Sequence, residues 1–165
     1  MLPTELFDKI AILCKDKNVN IALSRHTTIY TQKKIQIISK NILVFGDVQG
    51  GKTKKIMSFM HHFHNHTNVL VIQNSKAMLK QYETRLAYEG LDYQTVDKTT
   101  QKINKGIVLV MANVYRYGHF IRVAPKIYNL VIDEADSLIR NCPLEGGVNV
   151  HVTATPFKMK PIYDR

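Results

Sequence analysis

Five short apolar runs, separated by helical patterns, constrain this chain more than any other feature. They cover residues 42–45, 69–72, 107–111, 130–132 and 148–152. The first four are nearly continuous, as strands buried on both faces of a parallel sheet must be. The fifth alternates, with Asn149 and His151 between valines. After the first run, Ile56, Phe59, Met60 and Phe63 repeat at helical spacing; after the second, Met78, Leu79, Tyr82 and Leu86 do the same. Ser75 is placed to cap the second of these helices and Gly90 to stop it. Strand and helix in alternation predict an α/β domain with right-handed crossovers, a mainly parallel sheet and helices on both faces. Further helices are expected over 4–15 and 31–39, the first within a helical N-terminal extension (1–30) ahead of the α/β domain (31–165). The stretch 92–105 commits to neither element, and 143–147 reads as a turn.

A chain of 165 residues can bury one sizeable core but not two full-sized domains. Its apolar share of 45% and charged share of 22% exclude wholesale disorder. The apolar runs are far too short to cross a bilayer, and the opening MLPTELFDKI lacks the basic-then-apolar order of a secretory signal. Cys14 and Cys142 form no CxxC pair, which argues for reduced thiols in a cytoplasmic or nuclear compartment and against a structural zinc. The 23 Lys plus Arg exceed 13 Asp plus Glu, giving a formal charge of +10 that favours a polyanionic partner.

The sharpest local signal follows the first run: Gly46-Asp47-Val48-Gln49-Gly50-Gly51-Lys52-Thr53, the pattern G-x4-G-K-S/T. It stands between a predicted strand and an amphipathic helix, the context that a phosphate loop requires. The glycines let successive backbone N–H groups turn inward as an anion nest at a helix N-terminus. Lys52 is then expected to reach the β- and γ-phosphates, and the Thr53 hydroxyl to ligate Mg²⁺. The run 130–132 ends in a second signal, Asp133-Glu134-Ala135-Asp136. Ligand groups gather at the carboxyl ends of parallel strands. A carboxylate placed there can hold Mg²⁺ through water against the same phosphates, and its neighbour Glu134 can accept a proton from an attacking water.

These residues resemble the superfamily 2 helicases and translocases, including the DEAD-box group. Residues 46–53 resemble that family's motif I, Asp133-Glu134-Ala135-Asp136 matches motif II letter for letter, and Val152-Thr153-Ala154-Thr155-Pro156-Phe157 resembles motif III. Residues 69–81 resemble motif Ia, with Asn74-Ser75-Lys76 where relatives carry Pro-Thr-Arg or a variant, and with Gln81 retained. The resemblance spans about residues 32–157. It implies a RecA-like P-loop NTPase domain that binds ATP and Mg²⁺, with Asp133 acting on the metal and Glu134 on water. Asp136, Thr153 and Thr155 would couple nucleotide state to single-stranded or duplex nucleic acid, RNA or DNA. Asn74, Ser75 and Lys76 would touch its phosphates. Gln32 and Gln36 are the candidates for the family's adenine-reading glutamine, at a shorter spacing to Gly46 than relatives have. Motifs IV to VI, with the arginines that complete the ATP site, do not occur in the 165 residues. The resemblance therefore implies half of a two-part site, completed by a second RecA-like domain or chain, and slow hydrolysis without it. A nucleotide-binding regulatory or scaffold module is the competing expectation; a small-molecule phosphotransferase is disfavoured by the joint presence of motifs II and III. The Lys-, Ile- and Asn-leaning composition would suit a viral or A/T-rich genome.

Two weaker features remain. His61, His62, His64 and His66 crowd the end of a predicted helix, where partial positive charge is favourable; helix capping accounts for them better than a metal. Tyr115-Arg116-Tyr117 and His119-Phe120-Ile121-Arg122 interleave aromatics with bases. Such residues can stack on nucleic-acid bases or simply pack the core.

Overall fold

The computed structural model describes residues 19–23, 28–30, 35–37, 41–46 and 52–159. Their strands are β1 (Val19–Leu23), β2 (Thr28–Tyr30), β3 (Ile35–Ile37), β4 (Asn41–Gly46), β5 (Asn68–Ile72), β6 (Tyr93–Thr95), β7 (Ile107–Met111), β8 (Asn129–Ile132) and β9 (Val148–Thr153). The helices are α1 (Lys52–His62), α2 (Lys76–Tyr88), α3 (Val114–Val123) and the single turn α4 (Ala135–Leu138). Each of the five apolar runs forms a strand.

Seven strands make one sheet in the order β1-β4-β9-β8-β5-β7-β6. Six of them run parallel, and β1 closes one edge antiparallel to β4. Strand β9, last in sequence, lies between β4 and β8. The strand side chains alternate between two cores. Val44, Leu70, Ile72, Leu109, Val131 and Val152 face the layer formed by α1 and α2, where Met60, Phe63 and Leu86 are buried. Leu43, Val69, Val71, Val110, Leu130 and Ile132 face the opposite layer, where Phe120 of α3 and Ala135 of α4 are buried. The α/β architecture with helices on both faces is thus the one that the alternating pattern predicted.

The helix boundaries follow local chemistry. The Ser75 side chain accepts a hydrogen bond from Met78 N, capping α2, and Gly90 takes φ +70° just beyond its end. In the turn before β9, a Cβ on Gly146 would stand 2.7 Å from Leu130 N and 2.9 Å from Tyr128 O. Only glycine lets that turn lie against the start of β8.

The amino end of the sheet is closed by paired asparagines. Asn129 Nδ2 donates to Asn68 Oδ1 at 3.2 Å, and Asn149 Nδ2 donates to Asn41 Oδ1 at 3.1 Å. Asn68, fully buried, also donates to the carbonyls of Phe63 at 2.9 Å and His66 at 3.1 Å. The Asn149 amide exchanges hydrogen bonds with the Gly146 backbone. These amides satisfy chain turns that would otherwise bury unpaired carbonyls.

Two expectations are corrected. The helix expected over 31–39 is strand at Ile35–Ile37, paired antiparallel with Thr28–Tyr30. The β-branched residues of Ile-Gln-Ile alternate at period two, which outweighs the helical spacing read across the longer window. Within the helical extension expected over 1–30, Val19–Leu23 is a strand of the main sheet, so this part of the chain is integral to the α/β domain. The helix expected over 4–15 lies outside the described residues. In β9 the polar residues that alternate with the valines are buried as well: Asn149 is 3% and His151 4% exposed. The strand is central, and its polar side chains are buried against the α3–α4 layer. The ambiguous stretch 92–105 contains the short edge strand β6 followed by a loop.

Candidate functional site

The carboxyl ends of β4, β8 and β9 bring the two strongest sequence signals together. Lys52 and Thr53 open α1, directly after the phosphate-loop segment that follows β4. Asp133 and Glu134 follow β8. All four line one open cleft of about 920 Å³, whose far wall is α2, with Gln81, Tyr82 and Arg85, and whose rim includes Ala154. Gly46 ends β4, whereas Asp47, Val48, Gln49, Gly50 and Gly51 lie outside the described residues.

Asp133 is half-buried and tightly held. Its Oδ1 accepts the Glu134 backbone N–H at 3.0 Å, and its Oδ2 accepts a hydrogen bond from the Tyr82 hydroxyl. Burial pushes its carboxyl above the usual aspartate range, against the pull of Tyr82, the Glu134 N–H and the Lys52 charge. Burial also raises the Tyr82 phenol, and the adjacent Asp133 charge adds to the effect. Glu134 adopts φ 52°, ψ 46°, the left-handed region that costs a non-glycine residue about 1 kcal/mol or more. Its carboxyl is raised by partial burial and by the nearby charges of Asp133 and Asp136.

Two residues on, Asp136 behaves in the opposite way. Burial alone would raise it, but hydrogen bonds from Thr153 and Thr155, with help from the Lys158 charge, hold it below the usual range. Thr153 Oγ1 donates to Asp136 Oδ1 at 2.8 Å, and Thr155 N donates to Thr153 Oγ1 at 3.0 Å. Lys158 Nζ stands 3.8 Å from Asp136 Oδ2. The acidic tetrad and the Thr-Ala-Thr segment, 17 residues apart, are therefore joined directly by side chains.

The predicted nucleic-acid residues sit at the same end of the sheet, one strand over. Two of them have structural work: the Ser75 hydroxyl caps α2, and Asn74 Oδ1 accepts from Asn113 Nδ2 at 3.0 Å. Asn113 in turn caps α3 through Arg116 N. Lys76 is exposed on the first turn of α2. The aromatic–basic segment divides: Tyr117 and Phe120 are buried in the core, whereas Tyr115 is 76% exposed. Arg116 donates to the Val96 carbonyl at 2.6 Å, and Arg122 to that of Thr100 at 3.3 Å. Among the histidines, a ring nitrogen of His64 lies 3.0 Å from the His61 carbonyl, as helix-end capping requires. No group of three or more His, Cys, Asp or Glu side chains is placed to hold a metal among the described residues. Gln32 and the Gln36 side chain lie outside the described residues. Among these residues, no helix is long and apolar enough to cross a membrane.

Tyr82 was read from the sequence only as a core position of α2. Its polar role depends on the pairing of β5 with β8, which brings α2 alongside the end of β8; helical spacing carries no trace of it. No protein-family model matches the chain, and no curated protein matches it significantly.

Proposed function

We propose that this chain is the ATP-binding first motor domain of a nucleic-acid-dependent ATPase of the superfamily 2 helicase type. The observation that carries the reading is the convergence of Lys52, Thr53, Asp133 and Glu134 on one cleft, with Asp136 joined to Thr153 beside it. Lys52, at the start of α1, binds the β- and γ-phosphates together with the backbone N–H groups of the loop before it. The Thr53 hydroxyl and the Asp133 carboxylate are hard oxygen donors that suit Mg²⁺. A set this small fits an ion that keeps several waters and shares phosphate oxygens. Bound there, Mg²⁺ would neutralise phosphate charge. Glu134 orients the attacking water and accepts its proton; its raised pKa improves it as a base near neutral pH. The Asp136–Thr153–Thr155 chain links this chemistry to β9, and the Asn74–Asn113 contact ties together two helix starts at the edge where a nucleic-acid strand would lie. Completion of the site by a second RecA-like domain or chain belongs to the same proposal.

A single-turnover ATP assay, with and without single-stranded RNA or DNA, tests this. The motor reading expects slow hydrolysis that nucleic acid accelerates. Tight nucleotide binding with no turnover in either condition would replace it with a regulatory or scaffold module.

A further inference from the structure

We propose that Tyr82 is a resident stand-in for the metal: in the cleft that Thr53 and Asp133 line, its hydroxyl holds the Asp133 carboxylate and yields it when a divalent cation binds. This rests on the nucleotide-site reading above. Tyr82 is 4% exposed on α2, with its ring in the core beside Met60 and Leu86. Its hydroxyl donates to Asp133 Oδ2, and Tyr82 lines the same cleft as Thr53. The other carboxylate oxygen of Asp133 accepts the Glu134 N–H at 3.0 Å. The phenol therefore engages, inside that cleft, the carboxylate whose oxygen the cation needs.

The chemistry suits a temporary occupant. A largely buried carboxylate requires a donor. A permanent partner would normally be Arg or Lys, which cancels the charge and would repel a cation. A phenol supplies the hydrogen bond without supplying charge, so Asp133 keeps its attraction for a divalent ion. Exchange of one partner for the other leaves no buried oxygen unsatisfied at either stage.

Two roles for Tyr82 give opposite signs. If it only positions Asp133, removing the hydroxyl misaligns the ligand and weakens the contribution of Mg²⁺. If it occupies the metal's place, removing the hydroxyl strengthens it. The test measures binding of a fluorescent ADP analogue to the full chain and to Tyr82→Phe, in excess EDTA and in saturating Mg²⁺. The Mg²⁺-dependent gain in affinity should be larger in Tyr82→Phe by about tenfold or more, the weight of one hydrogen bond to a charged group. An equal or smaller gain in the variant overturns the proposal while leaving the nucleotide site standing. Failure of the wild-type chain to bind the analogue in either condition overturns both. A second measurement needs no variant. The chain has eight tyrosines and no tryptophan, so at the long-wavelength edge of the tyrosine band, beyond the absorption of adenine, its absorbance reports tyrosine alone. Mg²⁺ with ADP should give the difference spectrum of a phenol leaving a carboxylate, and ADP with EDTA should not. Identical spectra in the two conditions also overturn the proposal.

Discussion

The two ends of the sheet are built on opposite principles. At the amino end, Asn41, Asn68, Asn129 and Asn149 pair with one another and with nearby backbone. Neutral amides carry both donors and acceptors, so they close on themselves and need nothing from outside. At the carboxyl end, Asp133 and Glu134 are acceptor-only groups that burial holds above their usual pKa values, and one of them stands on a left-handed backbone. One end is satisfied and the other is poised. The same strands thus carry stability at one end and unsettled charge at the other, as expected where function is maintained at some cost to the fold.

Substitutions at the two ends should separate activity from stability. The largest effect is expected at Glu134→Gln: single-turnover hydrolysis should fall by roughly 10²–10⁴-fold, with nucleotide affinity retained. Lys52→Ala should weaken nucleotide binding by about 100-fold or more, which equilibrium binding would read directly, while the melting temperature stays close to wild type; unchanged affinity would remove the basis for the phosphate site. At the other end, Asn68→Ala removes the amide donor shared by the Phe63 and His66 carbonyls, of which Phe63 keeps the His66 N–H. It should cost about 3 kcal/mol in denaturant unfolding without changing the ratio of affinities with and without Mg²⁺.

His151 sharpens the comparison through pH. It lies in β9 between Leu43 and Ile132 in register, and burial lowers its pKa from 6.5 to about 4. Between those values the unfolded chain binds more protons than the folded one. Stability should therefore be full above about pH 6.5 and decline as pH falls toward 4, by about 3 kcal/mol in all. His151→Gln should flatten that slope in urea titrations across the window. A slope that persists would assign acid sensitivity to other groups.

Much of this molecule was legible in its residues because the relevant signals are local. A phosphate-loop pattern needs eight consecutive residues, a buried strand four or five, and a helix cap such as Ser75 only its next turn. The buried strands and the Ser75 cap stand where these signals put them, whereas residues 47–51 of the phosphate-loop pattern lie outside the described residues. What could not be read depends on register between distant strands. The insertion of β9 between β4 and β8 buries Asn149 and His151, which the alternating run does not announce. The pairing of β5 with β8 brings Tyr82 to Asp133, 51 residues away. Val19–Leu23 carries too few residues to announce an edge strand, and only its partner β4 fixes it. The proposed roles of Asn74 and Ser75 in nucleic-acid contact share the problem in reverse: a short polar turn looks the same whether it caps a helix or meets a phosphate.

The place of β9 also sets an order of events. Strands β4 and β8 share no hydrogen bonds, because β9 lies between them. Lys52 lies far upstream of β9 in the chain, and Asp133 only a short stretch before it. Long-range parallel pairing of this kind is slow to form. The wall carrying Lys52 and the wall carrying Asp133 are joined through the sheet only when β9 pairs with both β4 and β8. Any ligand that requires both walls can report that final step, since it has nowhere to bind until the step is done.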